Sequence, residues 1–371
     1  MIRRPPRSTL SSSSAASDVY KRQAQGMKPD VVILDEAHRI KNRKAKRTQA
    51  VKKIPATYRF LLTGTPLMNR MEELWSLLKF IDAGKWPSYA NFVQTYCEKG
   101  GYQGREIVGY RNLPELKSRL EPIMLRRRKD EVLPDLPDKI YQNYYIDLDS
   151  KTMAIYRQAE NEARACISAN KSIAINGIFA KLTRLKQIAV APEVLGAEHK
   201  STKIAECEKI VGEITESGQK AIIYSQFRGV TAYLEKLFKS KGVGLVHVNG
   251  TVGLRQRQKL VDDFQSNQNY SVFLGTTQSC KEALNLTSAT YVIFMDKLWN
   301  PADNRQAEDR CFRIGQKNTV NIISLIAKNT IEEKIEKRLD DKIDLFNAVI
   351  ESDDGVVLKK NITSDLFKDL F

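Results

Sequence analysis

Short apolar runs alternate with amphipathic stretches of helical period from Lys220 onward. The periodicity predicts strands at 221–224, 243–248, 271–274, 291–295 and 320–326, and helices at 230–239, 254–264, 302–311 and 331–346. Strands joined by helices of this length form right-handed crossovers in a mainly parallel sheet. The chain is therefore predicted to be an α/β protein whose parallel sheets are flanked by helices.

A second region of the same type is expected before this one, since 371 residues are more than one hydrophobic core usually organises. The pattern predicts a strand at 31–34, a basic helix, a strand at 58–62, a turn at 63–66 and a helix from Met71. Residues 83–140 lose the alternation and are interpreted as an insertion. Residues 150–190 carry Ala, Ile and Leu at helical spacing and predict helices that bridge the two regions.

The first residues look unlike the rest of the chain. They are rich in Ser and Arg without periodicity, which is typical of disorder and also of a transit peptide. They also resemble translated adaptor sequence, and on that interpretation the chain is a fragment that continues upstream. The predicted division is a disordered, non-native segment at 1–27, a partial first lobe with a helical insertion at 28–145, a helical linker at 146–200, a second lobe at 201–350 and a C-terminal tail at 351–371.

The net charge of +16 indicates a polyanionic partner, because clustered Lys and Arg gain affinity by releasing counterions from phosphates. From Arg39 to Lys53 there are eight basic residues and no acidic one. Many such runs are solvated helix faces, but this one directly follows a pair of carboxylates, which favours contact with DNA.

Several classes of protein are disfavoured by the sequence. No stretch of eighteen apolar residues and no signal peptide occurs, which predicts an intracellular protein without a membrane partner. The five cysteines and three histidines are dispersed, which argues against a zinc site or a disulfide framework. A monomer is expected.

The apolar run at 31–34 ends abruptly in Asp35 and Glu36. Ligands of open α/β sheets bind at the carboxyl ends of strands, where adjacent side chains leave in different directions. Asp35 can therefore serve Mg²⁺ while Glu36 polarises the water that attacks a γ-phosphate. An acidic pair that merely starts an exposed loop is the alternative. The pair makes an ATP-driven motor the first interpretation.

A second candidate site lies in the predicted helix 302–311 and just beyond it. Gln306, Arg310 and Arg313 are spaced four and three apart, so a continuous helix would place them on one face. Such a stripe is usually the solvated side of an amphipathic helix. Together with Asp35 and Glu36 in another lobe, it indicates a pair of arginines that close on ATP, and such an arginine is worth roughly 10³ to 10⁵ in turnover.

Polar residues also follow other predicted strands. Thr63 to Pro66 ends a strand beside the carboxylate pair, where the turn can sense the state of the phosphates. Segments suited to phosphate oxygens follow the strands of the second region, namely 225–227, 249–251 and 276–277. Each segment alone is a weak signal.

The order and content of these motifs resemble the Swi/Snf-type branch of the superfamily two helicase-like ATPases over roughly residues 28–371. The Trp299-Asn-Pro segment and the Arg313-Ile-Gly-Gln ending are hallmarks of that branch. The matching stretches are 34–42, which holds the Asp-Glu-Ala-His box, 62–69, 125–129, 223–227, 285–287, 296–301 and 306–316.

The resemblance implies two RecA-like lobes, ATP and Mg²⁺ in the cleft, and movement along double-stranded DNA without strand separation. It assigns Asp35 to the binding of Mg²⁺, and it assigns Asp35 and Glu36 together to hydrolysis. It assigns His38 and Gln306 to linking the lobes, and Arg310 and Arg313 to the phosphates, with Gly64 and Asn285 beside the nucleotide. The residues expected to contact DNA are Lys41, Asn42, Thr65, Asn69, Ser225, Gln226, Gly250, Thr251, Thr276 and Trp299.

Two departures from the family pattern leave other functions open. No Gly-x-x-x-x-Gly-Lys-Ser/Thr loop occurs in these residues, so the missing loop is expected upstream. Residues 277–283 lack the glycines that the family typically places there. The alternatives are a DNA-binding scaffold that has lost hydrolysis and a strand-separating helicase. A bacterial cytoplasm or nucleoid, or a phage origin, is favoured, with the nucleus as the site if the host is eukaryotic.

Overall fold

The computed structural model describes residues 28–64, 71–100, 106–127, 129–169, 175–279, 284–337 and 339. These residues form two compact units, and the boundary between them falls between Ile123 and Met124. Each unit combines strands with helices, and the predicted α/β class is confirmed. No helix among the described residues is both long enough and apolar enough to cross a membrane.

The first unit is built around a short parallel pair of strands and a separate antiparallel pair. Leu34 of the first strand lies opposite Leu61 of the second. The elements in chain order are β1 (Val31–Leu34), a 3₁₀ helix (Ala37–Ile40), α1 (Lys46–Lys52), β2 (Tyr58–Leu61), a 3₁₀ helix (Met71–Glu73), α2 (Leu74–Ile81), α3 (Tyr89–Tyr96), β3 (Cys97–Gly100), β4 (Glu106–Tyr110), α4 (Leu113–Leu120) and a 3₁₀ helix (Glu121–Ile123).

The strands β1 and β2 are less buried than their sequence predicts. A continuous apolar run indicates a strand covered on both faces, yet burial alternates along each strand, and Ile33 and Phe60 are 59% and 53% exposed. The parallel sheet to which they belong has two strands in the described part of the chain. One face of this pair is therefore apolar and exposed.

Helix α2 supplies much of the core of the first unit. Its residues Leu74, Leu77 and Leu78 are each at least 97% buried. The sequence predicted a helix from Met71, and the structure has a 3₁₀ turn there that continues as α2.

The second unit contains a six-stranded parallel sheet with helices on both faces. The elements in chain order are α5 (Lys129–Val132), β5 (Lys139–Ile146), α6 (Ser150–Ala169), α7 (Ile175–Val190), a 3₁₀ helix (Pro192–Leu195), α8 (Thr202–Glu216), β6 (Ala221–Ser225), α9 (Arg228–Ser240), β7 (Leu245–Val248), α10 (Leu254–Ser266), β8 (Val272–Thr276), β9 (Tyr291–Phe294), α11 (Pro301–Glu308), β10 (Val320–Ala327) and a further helix described over residues 331–337.

The order of strands in this sheet is β5-β10-β9-β6-β8-β7. The central strands β6 and β8 are buried along their whole length because helices cover both faces. Side chains from opposite faces of β6 enter two separate cores, Ile223 with α8 and α9, and Ile222 with α10 and β8. The cores explain why the sequence shows continuous apolar runs at these strands.

Strand β5 was not predicted. Residues 139–145 were assigned to the first lobe and to its insertion, but they pair with β10 along eight register positions, from Lys139 opposite Val320 to Ile146 opposite Ala327. Because the boundary between the compact units lies after residue 123, β5 belongs to the second unit. The strand was hard to recognise because it forms one edge of the sheet and its residues are mostly exposed and of mixed polarity.

Candidate functional site

The carboxylate pair lies in a tight turn directly after β1. Glu36 has a φ of 49°, a left-handed conformation that is uncommon for residues other than glycine. Its backbone N–H donates a 2.8 Å hydrogen bond to Oδ1 of Asp35. Oε2 of Glu36 lies 3.1 Å from Nδ1 of His38, which is in the following 3₁₀ helix. The turn therefore fixes the three side chains within one short segment.

The end of β2 holds this turn in place. The N–H of Leu62 donates to the carbonyl of Leu34, and the N–H of Ala37 donates to the carbonyl of Leu62, at 2.8 and 3.0 Å. Thr63 and Gly64 follow immediately, so the structure brings Gly64 to the same sheet edge as Asp35 and Glu36. Thr65 and Asn69, predicted to contact DNA, lie outside the described residues.

The basic run divides into paired and exposed side chains. Lys41 forms a 3.2 Å ion pair with Glu73, the guanidinium of Arg43 lies 4.1 Å from the ring centroid of Tyr89, and the side chain of Asn42 accepts from the N–H of Lys44. Arg43 is nevertheless exposed, and the other exposed basic residues are Arg39, Lys44, Lys46, Arg47 and Lys53. These residues, rather than Lys41, present most of the positive charge to solvent.

The arginine segment differs from its prediction. Helix α11 ends at Glu308, so Arg310 and Arg313 lie in the turn that follows and do not share a helical face with Gln306, which is half-buried on α11. Tertiary contacts end the helix, because the carbonyl of Arg310 accepts from the N–H of Leu286 and Sγ of Cys311 donates to the carbonyl of Ala289.

The turn after α11 nevertheless gathers the residues predicted to bind nucleotide in this unit. Arg310 is 7% exposed, whereas Arg313 is exposed and donates through Nη1 to the carbonyl of Leu284 at 3.2 Å. Because Leu284 and Leu286 are both hydrogen-bonded to this turn, the exposed Asn285 between them lies beside the arginines. Residues 280–283 of the altered glycine segment are outside the described part.

The residues predicted to contact DNA in the second unit follow β6, β8 and β7, which are neighbours at the carboxyl edge of the sheet, except for Trp299, which follows β9. Thr276 ends β8, and its hydroxyl donates to Oγ of Ser279 at 2.8 Å. Thr251 is exposed and donates through its N–H to the side chain of Asn249 at 3.0 Å. Gly250 lies against the guanidinium of Arg228, so a side chain at residue 250 would displace that group.

Ser225 has a structural role that the sequence did not reveal. It is fully buried, and its hydroxyl donates to Oδ1 of Asp296, which also accepts from the N–H of Gln226. Nζ of Lys186 lies 3.7 Å from the other oxygen of Asp296 and 5.9 Å from the ring centroid of Trp299. Burial lowers the pKa of Lys186, an effect that the charge of Asp296 opposes. The side chain of Ser225 therefore serves the fold, whereas the adjacent Gln226 is half-exposed.

The metal chemistry of the first site fits Mg²⁺ held together with phosphates. No cluster of three or more His, Cys, Asp or Glu suited to a metal occurs among the described residues. Mg²⁺ is usually bound by one or two carboxylates plus substrate phosphates and water, without a cage made wholly of protein ligands. The exposed carboxylate of Asp35 offers such a ligand.

Comparison with known proteins identifies the family. Residues 10–194 match the SNF2-related domain, and residues 202–315 match the helicase conserved C-terminal domain. The chain is 31% identical to the Sulfolobus solfataricus SWI2/SNF2 ATPase core in complex with double-stranded DNA, with a TM-score of 0.51, over 91% of this chain and 72% of that one. The chain belongs to the SNF2 family. The predicted resemblance and the RecA-like fold are thereby confirmed.

Two SNF2 relatives illustrate how much of such proteins this chain represents. The ATP-dependent helicase fft1 of Schizosaccharomyces pombe is 29% identical over 92% of this chain and 42% of its own length. The putative ATP-dependent helicase/translocase YwqA of Bacillus subtilis is 30% identical over 88% of this chain and 36% of its own length. The chain thus spans about two fifths or less of the length of these relatives.

Proposed function

We propose that this SNF2 protein, in its full length, hydrolyses ATP in a DNA-dependent manner and uses the energy to move along double-stranded DNA. The observation that carries the proposal is the turn at Asp35 and Glu36, which is fixed at the carboxyl edge of β1 and β2 by hydrogen bonds to Leu62. Family membership and the likeness to a SWI2/SNF2 core bound to double-stranded DNA support it.

In the first unit, Asp35 would hold Mg²⁺ and Glu36 would orient the attacking water and accept its proton. Bound Mg²⁺ would neutralise negative charge on the phosphate oxygens of ATP. Proximity to His38, 3.1 Å away, limits the rotamers of Glu36 and keeps its carboxylate near the sheet edge. The left-handed backbone at Glu36 aims this side chain differently from that of Asp35.

In the second unit, Arg310 and Arg313 would stabilise the charge that develops on the transferred phosphoryl group. Their backbone is fixed by the hydrogen bond between the carbonyl of Arg310 and the N–H of Leu286. An arginine in this role typically contributes about 10³ to 10⁵ in turnover. Movement would follow if cycles of hydrolysis alternate the grip of the two units on the phosphates of DNA.

DNA contact is proposed for the exposed basic residues near α1 and for the carboxyl edge formed by Gln226, Gly250, Thr251 and Thr276. Contacts of this kind address phosphates and carry little sequence information. Binding should therefore tolerate different sequences and weaken with salt, at about 0.9 logarithmic units per neutralised phosphate.

A DNA-binding scaffold without hydrolysis is the second candidate, favoured by the absence of a Gly-x-x-x-x-Gly-Lys-Ser/Thr loop from the 371 residues. Extending the reading frame upstream in the source genome discriminates between the two. A phosphate-binding loop in that region favours the motor, and its absence favours the scaffold. A forked-duplex unwinding assay separates translocation from strand separation.

The deciding experiment compares Glu36→Gln with the wild type in the full-length protein. Loss of the carboxylate should abolish DNA-stimulated ATP hydrolysis while leaving the affinity for double-stranded DNA unchanged. Glu121→Gln is the matched control, since Glu121 is an exposed glutamate of the same unit. Retained turnover in Glu36→Gln would refute the role assigned to Glu36, and an inactive wild type would favour the scaffold.

A further inference from the structure

We propose that Lys139, supported by Lys129 and Tyr141, is a positioning residue that holds the acidic side chains of the arginine turn away from Arg310 and Arg313. The inference rests on the proposed function, since it concerns how the arginines are kept ready for ATP. Lys139 and Tyr141 lie outside the motifs that suggested nucleotide binding, on the unpredicted strand β5, whereas Lys129 ends the matching stretch 125–129.

The core of this arrangement, here called the lysine clamp, is formed by Lys129, Lys139 and Tyr141 around Glu308 and Asp309. Nζ of Lys139 lies 3.2 Å from Oε2 of Glu308 and 3.3 Å from Oδ1 of Asp309. The hydroxyl of Tyr141 donates to the same oxygen of Glu308 at 3.0 Å. One ammonium thus bridges both carboxylates at the end of α11.

Lys129 completes the clamp from the other side. Its Nζ lies 2.9 Å from Oδ1 of Asp309 and donates to the carbonyl of Phe312 at 3.1 Å. The ammonium groups of Lys129 and Lys139 lie 5.6 and 4.7 Å from the ring centroid of Phe312, within range of cation–π attraction. The clamp therefore touches the turn both before and after Arg310.

The sequence of this turn explains why a clamp is needed. Glu308 and Asp309 immediately precede Arg310, and Arg313 follows within the same turn. Opposite charges a few ångströms apart attract strongly where water is partly excluded. Carboxylates without another partner would compete with phosphate for the guanidiniums. Two lysines supply positive charge equal to the negative charge of the two carboxylates, and they supply it from outside the turn.

The inner part of the clamp should matter more than the outer part. The side chains of Lys139 and Glu308 are 16% and 6% exposed, whereas those of Lys129 and Asp309 are 42% and 37% exposed. Solvent screens the outer pair, so its contribution is small. Burial and the charge of Glu308 also raise the pKa of Tyr141 to about 12, which keeps its hydroxyl protonated and available as a donor at neutral pH.

The test measures ATP hydrolysis by the full-length protein with Lys139→Met, Lys139→Arg, Arg313→Ala and the double variant Lys139→Met/Arg313→Ala. Lys139→Met should lower kcat about tenfold and change KM for ATP less than about threefold, because positioning acts in the transition state. Lys139→Arg should restore most of the activity. Because Arg310 remains in the double variant, Lys139→Met should slow Arg313→Ala by a smaller factor than it slows the wild type, since residues that act as a unit are not additive.

Lys328→Met is the matched control. Lys328 forms a 2.8 Å exposed ion pair with Asp147, and this pair joins the other ends of β10 and β5. Its loss should leave kcat unchanged. If Lys139→Met fails to fold, Tyr141→Phe decides, because it removes one donor to Glu308 with little change in packing and should lower kcat about two- to fivefold.

The outcomes separate the two proposals. A wild type that does not hydrolyse ATP overturns the proposed function and the clamp with it. An active wild type in which Lys139→Met lowers kcat by the same factor with and without Arg313 overturns the clamp alone, as does a Lys139→Met variant with wild-type kcat. A loss of kcat that is larger in proteins that retain Arg313, with unchanged DNA affinity, supports it.

Discussion

The hydroxyl of Ser225 donates a 2.5 Å hydrogen bond to the carboxylate of Asp296, which follows the neighbouring strand β9. Both residues are at least 98% buried, and Lys186 from α7 approaches the same carboxylate. The interaction fixes the backbone of Gln226, because the N–H of Gln226 also donates to Asp296. A buried carboxylate thus shapes the segment proposed to meet DNA.

Replacing Asp296 should therefore destabilise the second unit and disturb DNA binding together. Asp296→Ala leaves Lys186 buried without its carboxylate partner, which typically costs about 3 to 5 kcal/mol. Ser225→Ala should cost about 1 to 3 kcal/mol, because the carboxylate keeps its other donors. Urea denaturation measures the loss of stability in each of the two variants. Equal stabilities of the wild type and Asp296→Ala would contradict the role of this carboxylate.

The basic residues near α1 should differ in their contributions to DNA affinity. Lys46→Ala/Arg47→Ala removes two exposed charges and should lower the slope of log K against log salt by about 1 to 2 units. Lys41→Ala should change the slope less, because Lys41 already pairs with Glu73. Fluorescence anisotropy with a duplex at several salt concentrations tests this, and equal slopes for wild type and double variant would place DNA elsewhere.

Stability should depend on pH through Lys52. Burial, with the positive charges of Lys79 and Arg43 nearby, lowers the pKa of Lys52 from 10.5 to about 8. Between these two pH values the unfolded chain binds more protons at this residue than the folded one, so the free energy of unfolding rises with pH. Below about pH 8, the desolvated ammonium of Lys52 lowers the free energy of unfolding by a constant amount.

The comparison of wild type with Lys52→Met isolates this dependence, because other titrating groups cancel in the difference. Denaturant titrations from about pH 7 to about pH 10.5 should show the wild type gaining stability relative to the variant as pH rises. Lys53→Met is the control, since Lys53 is exposed. A difference that stays constant across this range would show that Lys52 titrates normally.

Gln316, the last residue of the hallmark Arg-Ile-Gly-Gln segment, should matter for stability. It is 5% exposed, its Nε2 donates to the carbonyls of Thr287 and Ala289, and its Oε1 accepts from the N–H groups of Lys317 and Asn318. Gln316→Leu leaves these groups without their hydrogen-bond partner and should lower the free energy of unfolding by about 2 to 4 kcal/mol in chemical denaturation. Gln258→Leu, at an exposed position, should cost less than about 0.5 kcal/mol. Similar losses in both variants would refute the bridging role.

The central strands of the second unit were predictable because burial on both faces leaves a strong local signal. Strands β6, β9 and β10 begin at the predicted residues and end within one residue of the prediction. Strand β5 was missed because an edge strand of mixed polarity, mostly exposed, lacks that signal. The early end of α11 was also missed, since it depends on contacts with Leu286 and Ala289 that are remote in sequence.

For the candidate site too, local features were predictable from the sequence and long-range contacts were not. The sequence correctly placed Asp35, Glu36 and Gly64 at one sheet edge, because parallel strands end together. It could not show that the hydroxyl of Ser225 is hydrogen-bonded to Asp296, or that Lys139 bridges two carboxylates, because each contact joins residues distant in the chain. The assigned catalytic and DNA-contacting roles of the site residues remain predictions.

Strand β5 also decides where the second unit can be separated from the rest of the protein. A recombinant chain that starts at residue 201 would lack β5 and leave one edge of β10 without its eight register partners. An unpaired strand of this length is a template for intermolecular β-pairing. Such a preparation should self-assemble, whereas one that begins before Lys129 retains the strand that shields this edge.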